Sequence, residues 1–489
     1  MYPKNKLQIE ACSCYNIIIK DIMFGRKDYM KKYLKVTAML LSGIMLAVTA
    51  GGCGQKNADN ADIKTITIWS GNAHSKQFYE RVVNEYNNGE GRKKGIKIDY
   101  QVKAGDSLKQ TLSLALENGT APDMFNSGDF KAMAENDQII SIDDLPGGKE
   151  YMDKYRDELV IDLNLYNDKA YSIPQNSTTH GLVYNVDMFK KAGIVDENGN
   201  AKPPETIAEM IEDAKKLTNT SNGEYGMVLP MKFGAFFQNY IGNFMQPNYG
   251  YAQYNPKDGS YHYENYVPFM QMYLDMKNDG SIFPGTETVD NDTARAQFAA
   301  GKIGMIIGFS YDYGVLTEQY PAKCEWDVAT LPLIDKNEKY NQTMFNSQVG
   351  FYINKQSVDK IGGDKLMEVY KFFTSDDIIV QMYKEGLGIP TNTELIDKTE
   401  LDDSMKQWQK FAELVKISTP MYTPILNPAS GQKSLQNKFI EDVWTAKMSP
   451  QDAVKGMNED AEKRMKEYYA QHPEKDYTVF IKPEWDIKR

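Results

Sequence analysis

Hydrophobic positions recur with two alternating periods along residues 64–127. Every second residue is apolar in TITIWS and in IKIDYQV, which is the period of a half-buried strand. Between them, SKQFYERVVNEYNN has the period of an amphipathic helix, with Ser75 as its N-cap. A second helix begins at Ser107 and ends at Gly119, and PDMFN follows as a short buried strand. The pattern predicts a β-α-β-α-β unit with a parallel sheet and right-handed crossovers.

The alternation of strands and helices recurs further along the chain. GLVYN is predicted to be a strand, and VDMFKKAG a helix that ends at Gly193. Thr206 and Glu209 have the spacing of a capping box at the start of TIAEMIEDAKKLT. TARAQFAAG and SDDIIVQMYKEG are also predicted helices, KIGMIIG is a strand, and one long helix is predicted in SPQDAVKGMNEDAEKRMKEYY. Two such stretches predict two α/β lobes.

The most apolar run, from Val36 to Ala50, lies near the start of the chain. It is about 15 residues long and therefore shorter than the roughly 20 that span a bilayer. Basic residues precede it, and small residues and Cys53 follow it in LLSGIMLAVTAGGCGQ, which is typical of a secretory signal; a buried core helix is the alternative. The end of the run resembles a bacterial lipobox, although Ala50 stands where Leu is preferred.

This resemblance implies how the N-terminal segment is organised. We expect residues 30–52 to be a lipoprotein signal peptide and Cys53 to carry a lipid anchor in the cell membrane, on its extracytoplasmic face. Residues 53–63, rich in Asn, Asp and Lys, would then form a flexible tether. Met30 is followed by two lysines, as at the start of a signal peptide, so we expect residues 1–29 to be a misassigned start or a disordered extension.

Charge and cysteine content restrict the classes of partner. The chain has a formal net charge of −11, and residues 1–52 carry eight basic and three acidic residues, which leaves −16 for the remainder. Such a negative charge argues against nucleic acid as a partner. Beyond residue 52 only Cys53 and Cys324 remain, so no disulfide framework is expected, and Cys324 is predicted to be a small core residue.

Several sequence blocks, in one order over residues 64–466, resemble the extracellular solute-binding proteins of ABC importers, in the branch of the maltose-binding protein. The most specific block is YSIPQNSTTHGLVYNVDMFKKAGI followed by PPETIAEMIEDAKKLT. The other blocks are ITIWS, GTAPDMFNSGD, DGSIFP, FAAGKIGMIIGF, GFYINKQS, KFFTSDDIIVQMYKEGLGIPTNTE and SPQDAVKGM.

The resemblance implies a two-lobed α/β fold of the type II periplasmic-binding-protein kind, with a ligand cleft between lobes joined by hinge strands. We expect the first lobe to comprise residues 64–175 with 352–400, and the second 176–351 with 401–489. The chain would cross between the lobes near Ile173–Asn176, Val349–Tyr352 and Glu400–Gln407.

A sugar cleft needs aromatic rings for the faces of the sugar and polar side chains for its hydroxyl groups. The blocks supply candidates of both kinds, because strand-end residues face the cleft in open α/β sheets. The position of Asp129 resembles that of a ligand-binding acid of the family, and the position of Tyr251 resembles that of a stacking aromatic residue of the family's second lobe. Tyr311 falls close in sequence to the position at which relatives have a stacking Trp. The candidate ligand residues are Trp69, Asp129, Gln175, Asn176, Phe236, Asn239, Tyr251, Tyr311, Asn346 and Gln348.

Other conspicuous residues are assigned structural roles. Phe233, Phe237 and Phe244 recur at helical spacing and are predicted to be core, as are Trp408 and Trp444, although either Trp could reach a cleft. Adjacent acids such as Asp143-Asp144, Asp376-Asp377 and Asp402-Asp403 diverge on a helix or strand and are predicted to be caps and surface. The four histidines show no metal spacing, and no cofactor is expected.

The two resemblances together imply a lipid-anchored receptor of an ABC importer. It would bind a sugar or oligosaccharide by cleft closure, perform no chemistry and deliver the ligand to the transmembrane subunits of a permease. Two alternatives stay open: a secreted enzyme acting on glycans, whose two carboxylates meet in space from distant positions, and a surface carbohydrate sensor without transport.

Overall fold

The structure, a computed structural model, describes residues 63–103, 105–156, 159, 163–348, 350–424, 433–473 and 475–489, with the backbone alone at 105–106 and 345–348. Ile63–Arg489 form one compact unit. The predicted signal peptide, the lipidated Cys53 and most of the tether lie outside the described residues. Among the described residues, no helix is long and apolar enough to cross a membrane.

The strands form two main sheets and a small hairpin. Their bounds are β1 Lys64–Ser70, β2 Ile96–Val102, β3 Met124–Phe125, β4 Ile139–Ile140, β5 Leu165–Tyr166, β6 Lys169–Ala170, β7 Asn176–Asn185, β8 Tyr225–Met227, β9 Ile303–Phe309, β10 Trp326–Ala329, β11 Gln342–Gln348, β12 Tyr352–Asn354, β13 Ile389–Pro390 and β14 Ser418–Pro420.

Helices cover both sheets. In the first half of the chain they are α1 Lys76–Asn88, α2 Glu90–Lys93, α3 Gly105–Glu117, α4 Phe130–Glu135, α5 Gly148–Asp153, α6 Val186–Lys191, α7 Ile207–Leu217, α8 Phe236–Tyr240 and α9 Met245–Tyr249. In the second half they are α10 Val267–Asn278, α11 Asn291–Ala299, α12 Asp312–Gly314, α13 Ser357–Ile361, α14 Gly363–Phe373, α15 Asp376–Lys384, α16 Thr393–Asp397, α17 Lys406–Lys416, α18 Leu435–Lys438, α19 Pro450–Val454 and α20 Met457–Gln471.

The first sheet has the order β2-β1-β3-β12-β4 and defines the first lobe. β1 is parallel to β2 and β3, as the predicted β-α-β-α-β unit requires, while β12 is antiparallel to β3 and β4. The apolar faces of α1, α14 and α15 pack on one side of this sheet, around Ile66, Ile68 and Met382. Phe125, Phe130 and other residues form a smaller core on the other side.

The second sheet defines the second lobe and is organised around β7. Its order is β14-β11-β7-β9-β8, and β10 and β13 also pair with β7. All ten residues of β7 are buried, because helices cover both faces and neighbouring strands pair along its length. The predicted GLVYN strand is the second half of β7. The two-lobed α/β architecture therefore agrees with the predicted fold class.

Among the described residues, the chain passes between the two main sheets at three places. β7 begins at Asn176 in the second sheet, after the first-lobe hairpin β5-β6, and β11 in the second sheet precedes β12 in the first. The third crossing differs from the prediction at Glu400–Gln407. α15 packs in the first lobe, but β13 already pairs with β7, so the chain crosses before Ile389. The backbone pairing of β13, which no side-chain pattern reports, fixes this earlier crossing.

Two further expectations are corrected. The predicted single C-terminal helix is divided into α19 and α20, because Gly456 adopts a left-handed conformation with φ of 74° and serves as the N-cap of α20. Cys324 is half-buried rather than fully buried, although burial still raises the pKa of its thiol to about 11. Trp408 and Trp444 are buried, as predicted, and the Nε1 of Trp408 donates to the carbonyl oxygen of Tyr383 at 2.9 Å.

Candidate ligand cleft

A cavity of about 360 Å³ lies where the two lobes meet beside the crossing segments. The first lobe contributes Asn72 and His74, from the loop after β1. The remaining wall comes from the crossing segments and the second lobe, through Asn176, Ser177, Thr178, Arg295, Ser310, Tyr311, Val315, Leu387, Gly388, Ile389 and Trp408. Four other described depressions, of 440 to 530 Å³, are each lined by residues of one lobe.

The loop after β1 is fixed by a network at the carboxyl ends of two parallel strands. Asn126, which follows β3, accepts a hydrogen bond from the backbone N–H of Gly71 at 3.0 Å. Its amide nitrogen donates to the hydroxyl of Ser70 at 3.1 Å, and that hydroxyl also accepts from the N–H of Asn72 at 3.1 Å. The network places Asn72 and His74 at the edge where ligands bind in open α/β sheets.

Tyr311 is the large aromatic residue that the cavity exposes. It follows the end of β9, and its side chain is 45% exposed. Its ring stacks on Phe309 with centroids 5.3 Å apart and an angle of 3° between the planes. The guanidinium carbon of Arg295 lies 5.5 Å from the ring centroid. These two contacts hold the ring in one orientation as a platform in the cleft. Ligand binding therefore loses less side-chain entropy than it would with a freely rotating ring.

A buried ion pair holds the turn that carries Tyr311. Asp312 accepts from the backbone N–H of Phe309 through Oδ2 at 2.8 Å, and its Oδ1 lies 2.5 Å from Nη2 of Arg295. Arg295 also pairs with Asp292 at 3.0 Å. Burial raises the pKa of Asp312, and the charge of Arg295 opposes that shift. Because two carboxylates compensate the guanidinium, Arg295 gives the cavity donors without a net positive charge.

The remaining polar wall is neutral. Burial lowers the pKa of His74 below its ordinary value of 6.5, so the imidazole is uncharged at neutral pH. Thr178 and Ser310 contribute hydroxyl groups, and Asn72 and Asn176 contribute amides. Neutral donors and acceptors beside an aromatic platform match the chemistry of an uncharged polyhydroxylated ligand. Among the described residues, no cluster of three or more His, Cys, Asp or Glu is arranged to hold a metal ion.

Two of the predicted ligand residues, Asn176 and Tyr311, line this cavity. Gln175 is adjacent to it in sequence, but its side chain is buried and its amide donates to the carbonyl oxygen of Phe373. It therefore fastens the first crossing segment to the first lobe. Asn346 and Gln348 lie on β11, where Gln348 pairs with Asn176 through the backbone, and the structure describes only the backbone of both residues.

Trp69 and Asp129 lie in the first lobe and do not line this cavity. Trp69 is half-buried near the carboxyl end of β1, with the ammonium of Lys103 4.9 Å from its ring centroid. Asp129 is exposed and is the N-cap of α4, where its Oδ1 accepts from the N–H of Ala132 at 3.2 Å. The sequence position that resembles a ligand-binding acid has at least this structural role.

The structure does not bring Phe236, Asn239 or Tyr251 to the cavity. Phe236 is completely buried, and its ring centroid lies 5.6 Å from that of Tyr240. Residues four apart share a face of a helix, so the apolar face of α8 carries both rings into the core. Asn239 is buried on the same helix, and Tyr251 contacts the ring of His262 in the second lobe.

The cavity residues that the sequence analysis missed include Asn72, His74, Thr178 and Arg295. Asn72 and His74 follow the carboxyl end of β1, and this position alone could have identified them. Thr178 faces the cavity from the start of β7, two positions after Asn176 on the same side of the strand. Arg295 lies on α11, and only the packing of that helix brings it beneath Tyr311.

Glycines allow the crossing segments to pack against one another. At Gly388, a Cβ would lie 2.5 Å from side-chain atoms of Asn176. At Gly350, a Cβ would overlap the carbonyl oxygen of Ile173. Neither glycine has a positive φ, so the close approach of the segments, and not backbone strain, requires the absence of a side chain. The three crossings thus form one packed unit beside the cavity.

Known proteins share both this sequence pattern and this fold. Residues 71–380 match the family described as bacterial extracellular solute-binding protein. The diacetylchitobiose binding protein DasA of Streptomyces coelicolor is 23% identical over 469 residues, which cover 89% of this chain and 99% of DasA.

Solved structures resemble the fold over most of the chain. The maltose/maltodextrin-binding domain MalE of Bdellovibrio bacteriovorus gives a TM-score of 0.58 at 19% identity, covering 82% of this chain and 100% of that domain. The GacH receptor of Streptomyces glaucescens gives 0.61 at 17% identity, covering 82% and 98%. The family match covers more than half of the chain and the architecture agrees with it; the chain belongs to the bacterial extracellular solute-binding proteins.

Proposed function

We propose that this chain is the lipid-anchored receptor of an ABC importer and that it binds a sugar or oligosaccharide in the cleft around Tyr311. The observation that carries the proposal is the cavity itself, which combines an exposed, braced aromatic ring with neutral polar groups from both lobes. A ligand that contacts both lobes favours the closed arrangement, and the closed form is what the permease recognises. The receptor performs no chemistry on its ligand.

Relatives support the choice of an uncharged glycan. DasA is named for diacetylchitobiose, the MalE domain was solved with maltotriose, and GacH with acarbose. The neutralised Arg295 and the uncharged His74 agree with such ligands.

The first lobe is taken as residues 63–175 with 350–388, and the second lobe as the remainder of the compact unit, following the corrected third crossing.

The first experiment measures thermal unfolding of residues 54–489 against chitooligosaccharides, maltooligosaccharides, arabinooligosaccharides and glycerol 3-phosphate, each at millimolar concentration. A ligand at about 100 times its dissociation constant adds roughly 2.7 kcal/mol of stability. A shift with one neutral glycan series, recovered intact, supports the proposal. A cleaved glycan would identify an enzyme, and a shift with glycerol 3-phosphate alone would overturn the assignment to neutral sugars.

A pair of variants places the ligand in this cleft. Tyr311→Ala removes the aromatic platform and is expected to weaken glycan binding about tenfold, or roughly 1.4 kcal/mol. The control is Ile334→Ala, since Ile334 is 46% exposed, as Tyr311 is at 45%, but does not line the cavity. Equal affinities of the two variants by calorimetry would exclude Tyr311 from the binding site.

The lipid anchor is tested separately. The basic, apolar and small-residue pattern before Cys53 supports lipidation of that thiol. Labelled fatty acid should enter the wild-type protein and be absent from Cys53→Ala, which should leave the membrane fraction. Equal labelling of both proteins would exclude Cys53 as the lipidated residue. Loss of uptake of the identified glycan when the receptor gene is deleted would support delivery to a permease.

A further inference from the structure

A contact outside the cleft cavity links the two lobes. α4 belongs to the first lobe, because Phe130 and Met133 pack in the smaller core of the first sheet. α20 belongs to the second lobe, where Ala461 and Met465 pack with two buried tyrosines. The segment that follows α20 reaches α4, so this contact connects the lobes without a chain crossing.

Lys475 is the centre of the contact. Its Nζ lies 2.7 Å from Oε1 of Glu135, in the last turn of α4, and donates to the hydroxyl of Tyr468 on α20 at 3.0 Å. The ring centroid of Tyr468 lies 5.3 Å from the ammonium of Lys475 and 5.5 Å from that of Lys131 on α4. We call Lys131, Glu135, Tyr468 and Lys475 the interlobe clasp.

Burial distinguishes this ion pair from an ordinary surface pair. The side chain of Lys475 is 15% exposed and that of Glu135 is 35% exposed, whereas many surface pairs leave both groups mostly in water. A partly desolvated pair is screened less by salt and gains more from its geometry. The bonds to Glu135 and Tyr468 outweigh the opposing effect of burial and raise the pKa of Lys475, so the ammonium stays charged.

The clasp lies outside the cavity, and two of its four residues lie outside the family match. None of its four residues lines the cavity, and Tyr468 and Lys475 lie beyond residue 380, where the match to the family ends. Rotation of one lobe about the crossing segments changes the distance between α4 and the segment after α20. We therefore expect the clasp to form in one lobe arrangement and to break when the lobes rotate apart.

We propose that the interlobe clasp stabilises the arrangement of the lobes that encloses the cavity, and so strengthens ligand binding without touching the ligand. A contact made in only one of two conformations shifts the population toward that conformation. A larger population of the binding-competent form lowers the apparent dissociation constant in proportion. The effect on affinity rests on the proposed function; the effect on lobe arrangement does not.

The test measures the lobe arrangement directly. Spin labels are attached at Leu114→Cys in the first lobe and Ile334→Cys in the second, both of which replace exposed residues, in residues 54–489 with Cys324→Ala. The distance distribution without ligand is expected to move away from the wild-type distance in Glu135→Gln and in Lys475→Met. The charge-swapped double variant Glu135→Lys/Lys475→Glu should return toward the wild-type distribution.

A matched pair within one lobe serves as the control. Lys94 and Glu368 are 2.5 Å apart and join the end of α2 to α14 in the first lobe, so Lys94→Met and Glu368→Gln remove a more exposed ion pair and are expected to leave the lobe arrangement unchanged. Unchanged distances in the clasp variants, or equal changes in the controls, would overturn the proposal. Circular dichroism establishes whether each variant is folded. If a single variant is not folded, the charge-swapped double variant is measured in its place.

Ligand affinity separates this proposal from the proposed function. If wild type binds a glycan, the single clasp variants should bind it roughly threefold to tenfold more weakly, and the charge swap should recover most of that loss. If the wild-type protein binds no glycan but the clasp variants still change the lobe distance, the proposed ligand is refuted and the clasp remains supported. Unchanged affinity together with changed distances would overturn the coupling to binding.

Discussion

Arg295 and Asp312 form the buried ion pair beside the exposed ring of Tyr311. Their side chains are 12% and 4% exposed. Removal of Asp312 leaves the buried guanidinium with only the exposed carboxylate of Asp292 as its partner, and loss of one partner of a buried pair typically costs about 3–5 kcal/mol. We expect Asp312→Ala to lower the free energy of unfolding by this amount, measured by urea denaturation.

The double variant tests whether the cost arises from the unpaired charge. Arg295→Met/Asp312→Leu removes both charges, so its loss of stability should be smaller than the sum of the single losses. A loss equal to the sum would mean that the two residues act independently. The exposed pair of Lys94 and Glu368 is the control, and its removal should change stability little.

His180 makes the stability of the protein depend on pH. It is completely buried on β7, and burial lowers the pKa of its imidazole from 6.5 to about 3. Between these values the unfolded chain binds a proton and the folded chain does not, so stability is complete above pH 6.5 and falls toward pH 3. The slope is about 1.4 kcal/mol per pH unit, which gives about 2 kcal/mol between pH 6.5 and pH 5.

Urea denaturation at pH 7 and pH 5 measures this difference. His74 shifts in the same direction, so the contribution of His180 is the part of the slope that His180→Gln removes. The variant loses stability at both pH values through packing, and only its pH dependence bears on the prediction. A slope identical to that of wild type would assign the titration to other groups.

At the scale of the elements, α7 offers the clearest local signal. The hydroxyl of Thr206 accepts from the N–H of Glu209 at 3.2 Å, and the carboxylate of Glu209 accepts from the N–H of Thr206 at 3.2 Å. Thr206→Ala should destabilise the protein by about 1 kcal/mol, measured by thermal or urea unfolding. Exposed Thr120, which lies outside the helices, is the control, and Thr120→Ala should change stability by less than about 0.5 kcal/mol.

The elements whose information is local were predictable from the sequence. The capping box of α7, the N-cap of α15 at Ser375 and the alternation in β1 and β2 appear in the structure where the pattern places them. The pattern also made SPQDAVKGMNEDAEKRMKEYY one helix, because helical periodicity continues across Gly456. The left-handed conformation of that glycine is determined by tertiary structure, and the periodicity of apolar residues does not report it.

The cleft was predictable only in part, for a related reason. Asn176 and Tyr311 follow strand or hinge positions that the family pattern marks, and they line the cavity. Phe236 was assigned to the ligand because it lies in an aromatic run, but helix packing sends it into the core. Arg295 reaches the cleft from α11, the helix that precedes β9. Which face of a helix meets the cleft is decided by tertiary packing, which short sequence patterns do not report.

At the scale of the whole molecule, the packing of the three crossings limits how the lobes can move. Gly350 is the residue to test, because a Cβ there would meet backbone of Ile173, which cannot rotate away as a side chain can. Gly350 does not line the cavity, so a change in ligand affinity on its substitution would arise from a change in the arrangement of the lobes. We expect Gly350→Ala to force the first two crossings apart, at a cost of roughly 1–3 kcal/mol in the free energy of unfolding.

Gly234→Ala is the matched control, because no atom lies within 4 Å of the place that its Cβ would take and its φ is not positive. That change should be neutral or slightly stabilising. Urea denaturation, interlobe distances from spin labels and glycan affinity are measured on both variants. Lower stability, altered lobe distances and weaker binding in Gly350→Ala alone would establish that close packing of the crossings sets the lobe arrangement. Equal behaviour of the two variants would mean that the crossings separate freely, and that contacts such as the interlobe clasp control closure.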